Sequence, residues 1–212
     1  MSIGSRSALA LTILLAGAAS PPVAAHSLKR LEDHLRKRET YVQIVQRPAP
    51  DFTLRDAEGR TLSFSDLRGK VVVLWFVYAS CLDVCPLHSE KIAEIQRMVN
   101  KTPMKDLVSF IAITTDPKRD TPRVLQDYGP AHGLEPANWT FLTDGQDKPE
   151  TTRNLAESYG LKFTPTRDGY QMHGLVTHLI DKSGNLRARY HGLKVDPVNI
   201  LLYINALTND TH

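Results

Sequence analysis

At 212 residues, with 42% hydrophobic and 23% charged side chains, the chain can bury one ordinary core and is neither fibrous nor disordered. Its 26 basic and 23 acidic residues are well mixed and leave a formal charge of only +3, which argues against the clustered basic face of a nucleic-acid binder.

Residues 1–25 read as an export signal. Arg6 supplies a positive start, Ala8 to Ala16 an apolar stretch, and Val23-Ala24-Ala25 small residues before a cut. The apolar stretch is shorter than the roughly 20 residues that span a bilayer. The protein is therefore expected in the periplasm or another extracytoplasmic space. An uncleaved N-terminal anchor is the alternative, and membrane contact is expected only there. Residues 26–47 read as a charged linker or short amphipathic helix, with Leu28, Leu31 and Leu35 at helical spacing.

The compact domain is expected over residues 48–208, followed by a tail at 209–212. Asp51 to Leu54 and Arg60 to Leu62 flank Glu58-Gly59 as a hairpin. Val71 to Val77 is a continuous β-branched and aromatic run, the pattern of a strand buried on both faces. Leu87 to Val99 has helical periodicity, and Val108 to Ile113 is a second apolar strand. Thr121-Pro122 opens a helix, Trp139 to Leu142 is a short strand, and Pro149 to Tyr159 is a helix stopped by Gly160. Leu175 to Ile180 and Leu186 to Tyr190 form a hairpin, and Asp196-Pro197 opens a last helix carrying Ile200, Leu201, Ile204 and Leu207. A βαβ unit, a connecting helix, a hairpin and a closing helix make the order of an α/β, thioredoxin-like fold, here with an N-terminal β-hairpin extension.

The chain has two cysteines, Cys81 and Cys85, at the end of the first core strand in the segment Cys81-Leu-Asp-Val-Cys85-Pro86. A bridge across so short a loop would constrain the unfolded chain little, so chemistry is the better reading than a structural staple. The four-residue offset puts both side chains on one side of a helical turn. A helix N-terminus is expected to depress their pKa, and two close thiolates suit a soft ion such as Cu(I). Thiol–disulfide exchange by the same dithiol, Cys81 and Cys85, is the rival chemistry. A zinc site would call for a second cysteine pair, which the sequence lacks. A third ligand would come from one of eight histidines, with His88, His173 and His178 best placed by the expected topology.

These motifs together resemble the SCO/SenC family of copper proteins of cytochrome c oxidase assembly. The resemblance runs from Pro50 to Leu207 and rests on Asp51-Phe-Thr-Leu54, Gly69-Lys70, Cys81-x-x-x-Cys85-Pro86, Asp116-Pro-Lys-Arg-Asp-Thr-Pro122 and a histidine eight residues before Asp181. That count selects His173 over His178. The resemblance implies a site in which Cys81, Cys85 and His173 hold Cu(I) or Cu(II). It also implies delivery of copper toward the binuclear CuA site of a respiratory oxidase, or reduction of that site's cysteines. The expected partner is the CuA-bearing subunit or another copper chaperone; a sensor that passes no metal on is a third reading. Leu82 stands where the family commonly has proline, which leaves all three ligands in place. Pro165 reads as an ordinary loop residue. Asp116 and Asp120 read either as electrostatic support for the site or as a turn.

Overall fold

The structure, a computed structural model, describes residues 23–81, 84–146, 148–165 and 171–210. Of the expected export signal only residues 23–25 fall within that range; Leu82, Asp83 and the last two residues lie outside it. Among the described residues no helix is long and apolar enough to cross a membrane.

The centre is strand β4 (Val71–Val77), every residue of which is buried. Its side chains divide by parity: Val71, Val73, Trp75 and Val77 enter one core, while Val72, Leu74 and Phe76 enter another. That division is why the segment shows no polar alternation. Parallel to β4 lies β5 (Val108–Thr114), and parallel to β5 lies β6 (Trp139–Leu142). On the other side β9 (Val176–Ile180) pairs antiparallel with β4, then β10 (Asn185–His191) with β9. The first core is closed by helices α2 (Val84–Asn100), α3 (Pro122–Ala131) and α5 (Pro197–Asn209). The second is closed by α4 (Pro149–Ser158) and by the antiparallel pair β2 (Thr53–Arg55) and β3 (Thr61–Ser63).

The expected capping residues act as such. Thr121 Oγ1 accepts from the Val124 N–H at 3.5 Å, and Asp196 accepts from the Val198 N–H at 2.9 Å. Gly160, with φ +95°, ends α4 in a conformation that a side chain would strain.

Two expectations are corrected. Of the linker and short-helix readings of residues 26–47 the helix holds, but the segment belongs to the domain rather than preceding it: helix α1 (Val23–Arg38) buries Leu28 and Leu35 in the first core, and β1 (Val42–Pro48) pairs with β10 as the sheet's sixth strand. The sheet therefore begins at Val42, before the expected boundary at residue 48. Proline at the last position of β1 fits an edge strand, where no ladder donor is lost. Nor is Pro165 a loop residue. It ends β7 (Phe163–Pro165), which pairs antiparallel with β8 (Gln171–His173), and this small ladder sets His173 opposite Phe163.

Candidate metal centre

The site lies where β4 ends. Cys81 follows the strand by four residues and its N–H donates to the Tyr78 carbonyl at 3.2 Å. Cys85 sits in the first turn of α2, one residue past its start at Val84. Neither is in a disulfide and both are buried, Cys85 at 2% exposure. The two side chains are near enough to interact electrostatically. The expectation of a thiol acidified by the helix N-terminus is overturned for Cys85. Burial, and then the neighbouring Cys81, push its pKa well above the ordinary thiol range. The dipole of one helix turn does not offset the removal of water, so the Cys85 thiol rests neutral.

Asp120 fixes the loop that carries Cys81. Its two oxygens accept the Ala79 N–H at 3.2 and 3.1 Å, and it accepts the Thr114 hydroxyl as well. Thr115 N–H donates to the Val77 carbonyl at 2.9 Å, so the ends of β4 and β5 are tied together. Burial raises the Asp120 pKa to about 6, against the pull of the Thr114 and Ala79 donors. Of the two sequence readings for this aspartate, the geometry favours a structural clasp, while Thr121 is the helix cap.

His173 is buried at the end of β8, with the Phe163 ring at 5.4 Å and the Tyr78 ring at 6.0 Å, both edge-on. Its Nδ1 lies 3.0 Å from the Gly174 carbonyl, which can only accept, so Nδ1 carries the proton. Nε2 is left as the basic nitrogen, facing the Thr115 hydroxyl at a long 3.4 Å. Burial lowers the His173 pKa and keeps the ring neutral, the form that ligates metals.

The other histidines divide clearly. His178 lies in the second core, on the far side of the sheet from α2, edge-on to Tyr159 at 5.1 Å and Phe76 at 6.0 Å. His88 is buried on α2 with Nε2 2.9 Å from the Thr177 hydroxyl. His34 and His191 are exposed, His132 lies tilted against Tyr128 with ring centroids 4.3 Å apart, and the placements of the His26 side chain and of His212 lie outside the described residues.

Among the described residues, no three His, Cys, Asp or Glu side chains are gathered closely enough to hold a metal ion. Cys81 and Cys85 meet; His173 stands off from them. The donor set nonetheless fits copper: two neighbouring sulfurs and one imidazole whose Nδ1–H is locked by a backbone carbonyl, the usual device for presenting Nε2 to a metal. Sequence reasoning missed the Asp120 clasp on Ala79, Thr115 opposite His173, and the aromatic walls Tyr78 and Phe163. The acidic motif at residues 116–122 was the only signal that pointed toward them.

Residues 42–209 match the family model described as SCO1/SenC. An SCO2-like protein of Rickettsia felis is 41% identical over 157 residues, covering 73% of this chain and 74% of that protein. The copper-bound structure of ScoI from Bradyrhizobium japonicum is similar at TM-score 0.62 and 28% identity, covering 76% of this chain and 99% of that one. BsSco, a member of the Sco family of cytochrome c oxidase assembly proteins, is similar at TM-score 0.65 and 22% identity, covering 79% of this chain and 98% of that one. These likenesses, with the βαβ unit and its crevice dithiol, show a thioredoxin-like fold, and the chain belongs to the SCO1/SenC family.

Proposed function

We propose that this chain is an extracytoplasmic copper metallochaperone that loads the CuA site of a respiratory cytochrome c oxidase, holding the metal through Cys81, Cys85 and His173. The observation that carries the reading is the pair of buried, neighbouring thiols, with a neutral histidine, His173, packed on Tyr78 of the same loop, whose Nδ1–H is held by the Gly174 carbonyl and whose Nε2 makes only a long contact with the Thr115 hydroxyl. Copper in the related ScoI of Bradyrhizobium japonicum supports it.

Copper is cargo in this scheme. The Cys85 thiol gives up its proton when its sulfur joins the metal, so copper binding releases protons. Burial that raises the Cys85 pKa makes the empty thiol a neutral group rather than a stranded charge. It also means that release to an acceptor is helped by returning protons to the sulfurs. His173 completes the set by moving toward the dithiol, exchanging its long contact with the Thr115 hydroxyl. An imidazole beside two thiolates lets one site hold either Cu(I) or Cu(II).

The nearness of Cys81 and Cys85 also favours a second reading, reduction of the CuA cysteines. There the dithiol loses two electrons and two protons to form its own disulfide, and the target disulfide becomes two thiols.

Titrating the reduced protein with Cu(I) against a chromophoric chelator separates the two. One copper per chain, weakened in Cys81→Ser, Cys85→Ser and His173→Ala, is the expected result. Absence of tight copper in the wild type, together with a readily cycled disulfide, would leave the reductase.

A further inference from the structure

The copper reading employs three side chains carried by three separate pieces of chain, and one buried contact joins all of those pieces. Thr177 is 2% exposed in β9, four residues beyond His173. Its partner across the sheet is Trp75 in β4, the strand that delivers Cys81. Its hydroxyl meets Nε2 of His88 at 2.9 Å, and His88 lies one helical turn beyond Cys85 on α2. Thr177 thus ties the carrier of Cys85 to the strand that leaves His173.

That contact is poorly explained by stability. His88 is 1% exposed, and its Nδ1 is buried with no hydrogen-bond partner among the described residues. A half-satisfied buried imidazole is destabilising through its stranded atom, and an apolar pair of similar shape would avoid that loss. The residue spacing supplies a reason for keeping the polar pair. A hydrogen bond is directional where apolar packing is not, so it fixes the register of α2 against β9 in a way that leucine would leave loose.

Resting on the copper reading above, we infer that His88 and Thr177 form a positioning pair, which sets the distance between the dithiol at the start of α2 and the imidazole of His173. Neither side chain touches the metal. Both act through the elements that carry Cys85 and His173, as outer partners of metal ligands do elsewhere, where their loss costs about 10–100-fold in affinity.

The test is a set of four proteins measured for Cu(I) affinity, for the absorption bands of the Cu(II) form, and for urea stability. Thr177→Val removes the hydroxyl at constant shape, Thr177→Ser keeps it, and His88→Leu with Thr177→Val replaces the pair by apolar groups. The double variant is expected to be as stable as wild type or more so, yet to bind copper at least about tenfold more weakly with shifted bands. Thr177→Val is expected to lose affinity likewise, and Thr177→Ser to retain it. Wild-type affinity and spectrum in the double variant would overturn the inference while leaving the copper site standing. A wild type that binds no copper would overturn the proposed function, and the positioning role with it.

Discussion

Glu32 offers a direct test of whether α1 belongs to the fold. It is 5% exposed and accepts from Arg187 Nη2 at 2.7 Å and from the Tyr203 hydroxyl at 2.6 Å. One carboxylate therefore ties α1 to β10 and α5. In Glu32→Ala the Arg187 guanidinium, 13% exposed, keeps only Asp181 at 3.4 Å, and the Tyr203 hydroxyl is stranded. Breaking a buried pair costs about 3–5 kcal/mol. The surviving Asp181 contact places the expected loss at the low end, about 3 kcal/mol. For a chain of this size each kcal/mol moves Tm by about 2–4 °C, so a fall of about 6–12 °C is expected. Urea unfolding by linear extrapolation should show a lower midpoint at unchanged slope. Glu32→Gln, which still accepts from Tyr203, should lose clearly less. A loss under about 1 kcal/mol in Glu32→Ala would refute the reasoning and return α1 to the status of a linker.

Gly129, inside α3, faces Trp139: a Cβ there would sit 2.1 Å from Cζ2 of the indole. Alanine should gain about 1 kcal/mol from helix propensity, but displacing the ring costs about 1–3 kcal/mol, so Gly129→Ala should unfold earlier in urea and Gly129→Ala with Trp139→Leu should recover; a stabilised single variant contradicts the contact. His178 is held neutral by burial, its pKa lowered to about 3 from 6.5. Its contribution is fully present above pH 6.5 and is lost as pH falls toward 3, at up to about 1.4 kcal/mol per pH unit, so His178→Leu should flatten the acid limb of stability, and parallel pH profiles would count against it. Leu35, fully buried at the contact of α1 with the core, should cost about 2–5 kcal/mol as alanine, and a neutral effect in thermal unfolding would again detach the helix.

Much of this architecture is written locally. Val71 to Val77 is apolar at every position because both of its faces are covered, and Thr121, Asp196 and Gly160 mark helix ends by chemistry that depends on few neighbours. What escaped the sequence depends on distant partners. Strand β1 is half-exposed, irregular in register and proline-ended, so Val42 to Pro48 shows neither alternation nor a continuous apolar run. Glu32 and Arg187 look like surface charges until the fold brings them together across 155 residues. His88 reads as a polar residue on a helix, and only the packing of α2 on β9 reveals Thr177 as its partner. The two thiols were legible as a pair from their spacing. The direction of the Cys85 shift was not, because burial is a property of the folded environment and outweighs the local helix terminus.

The most direct test of the central claim is copper K-edge X-ray absorption on the reduced, Cu(I)-loaded protein and on its His173→Ala variant. The account predicts one copper bound by two sulfur scatterers and one imidazole nitrogen, with the nitrogen lost and both sulfurs kept in the variant. A sulfur-only environment in the wild type, or a spectrum unchanged by His173→Ala, would contradict the assignment of Cys81, Cys85 and His173 as the copper ligands.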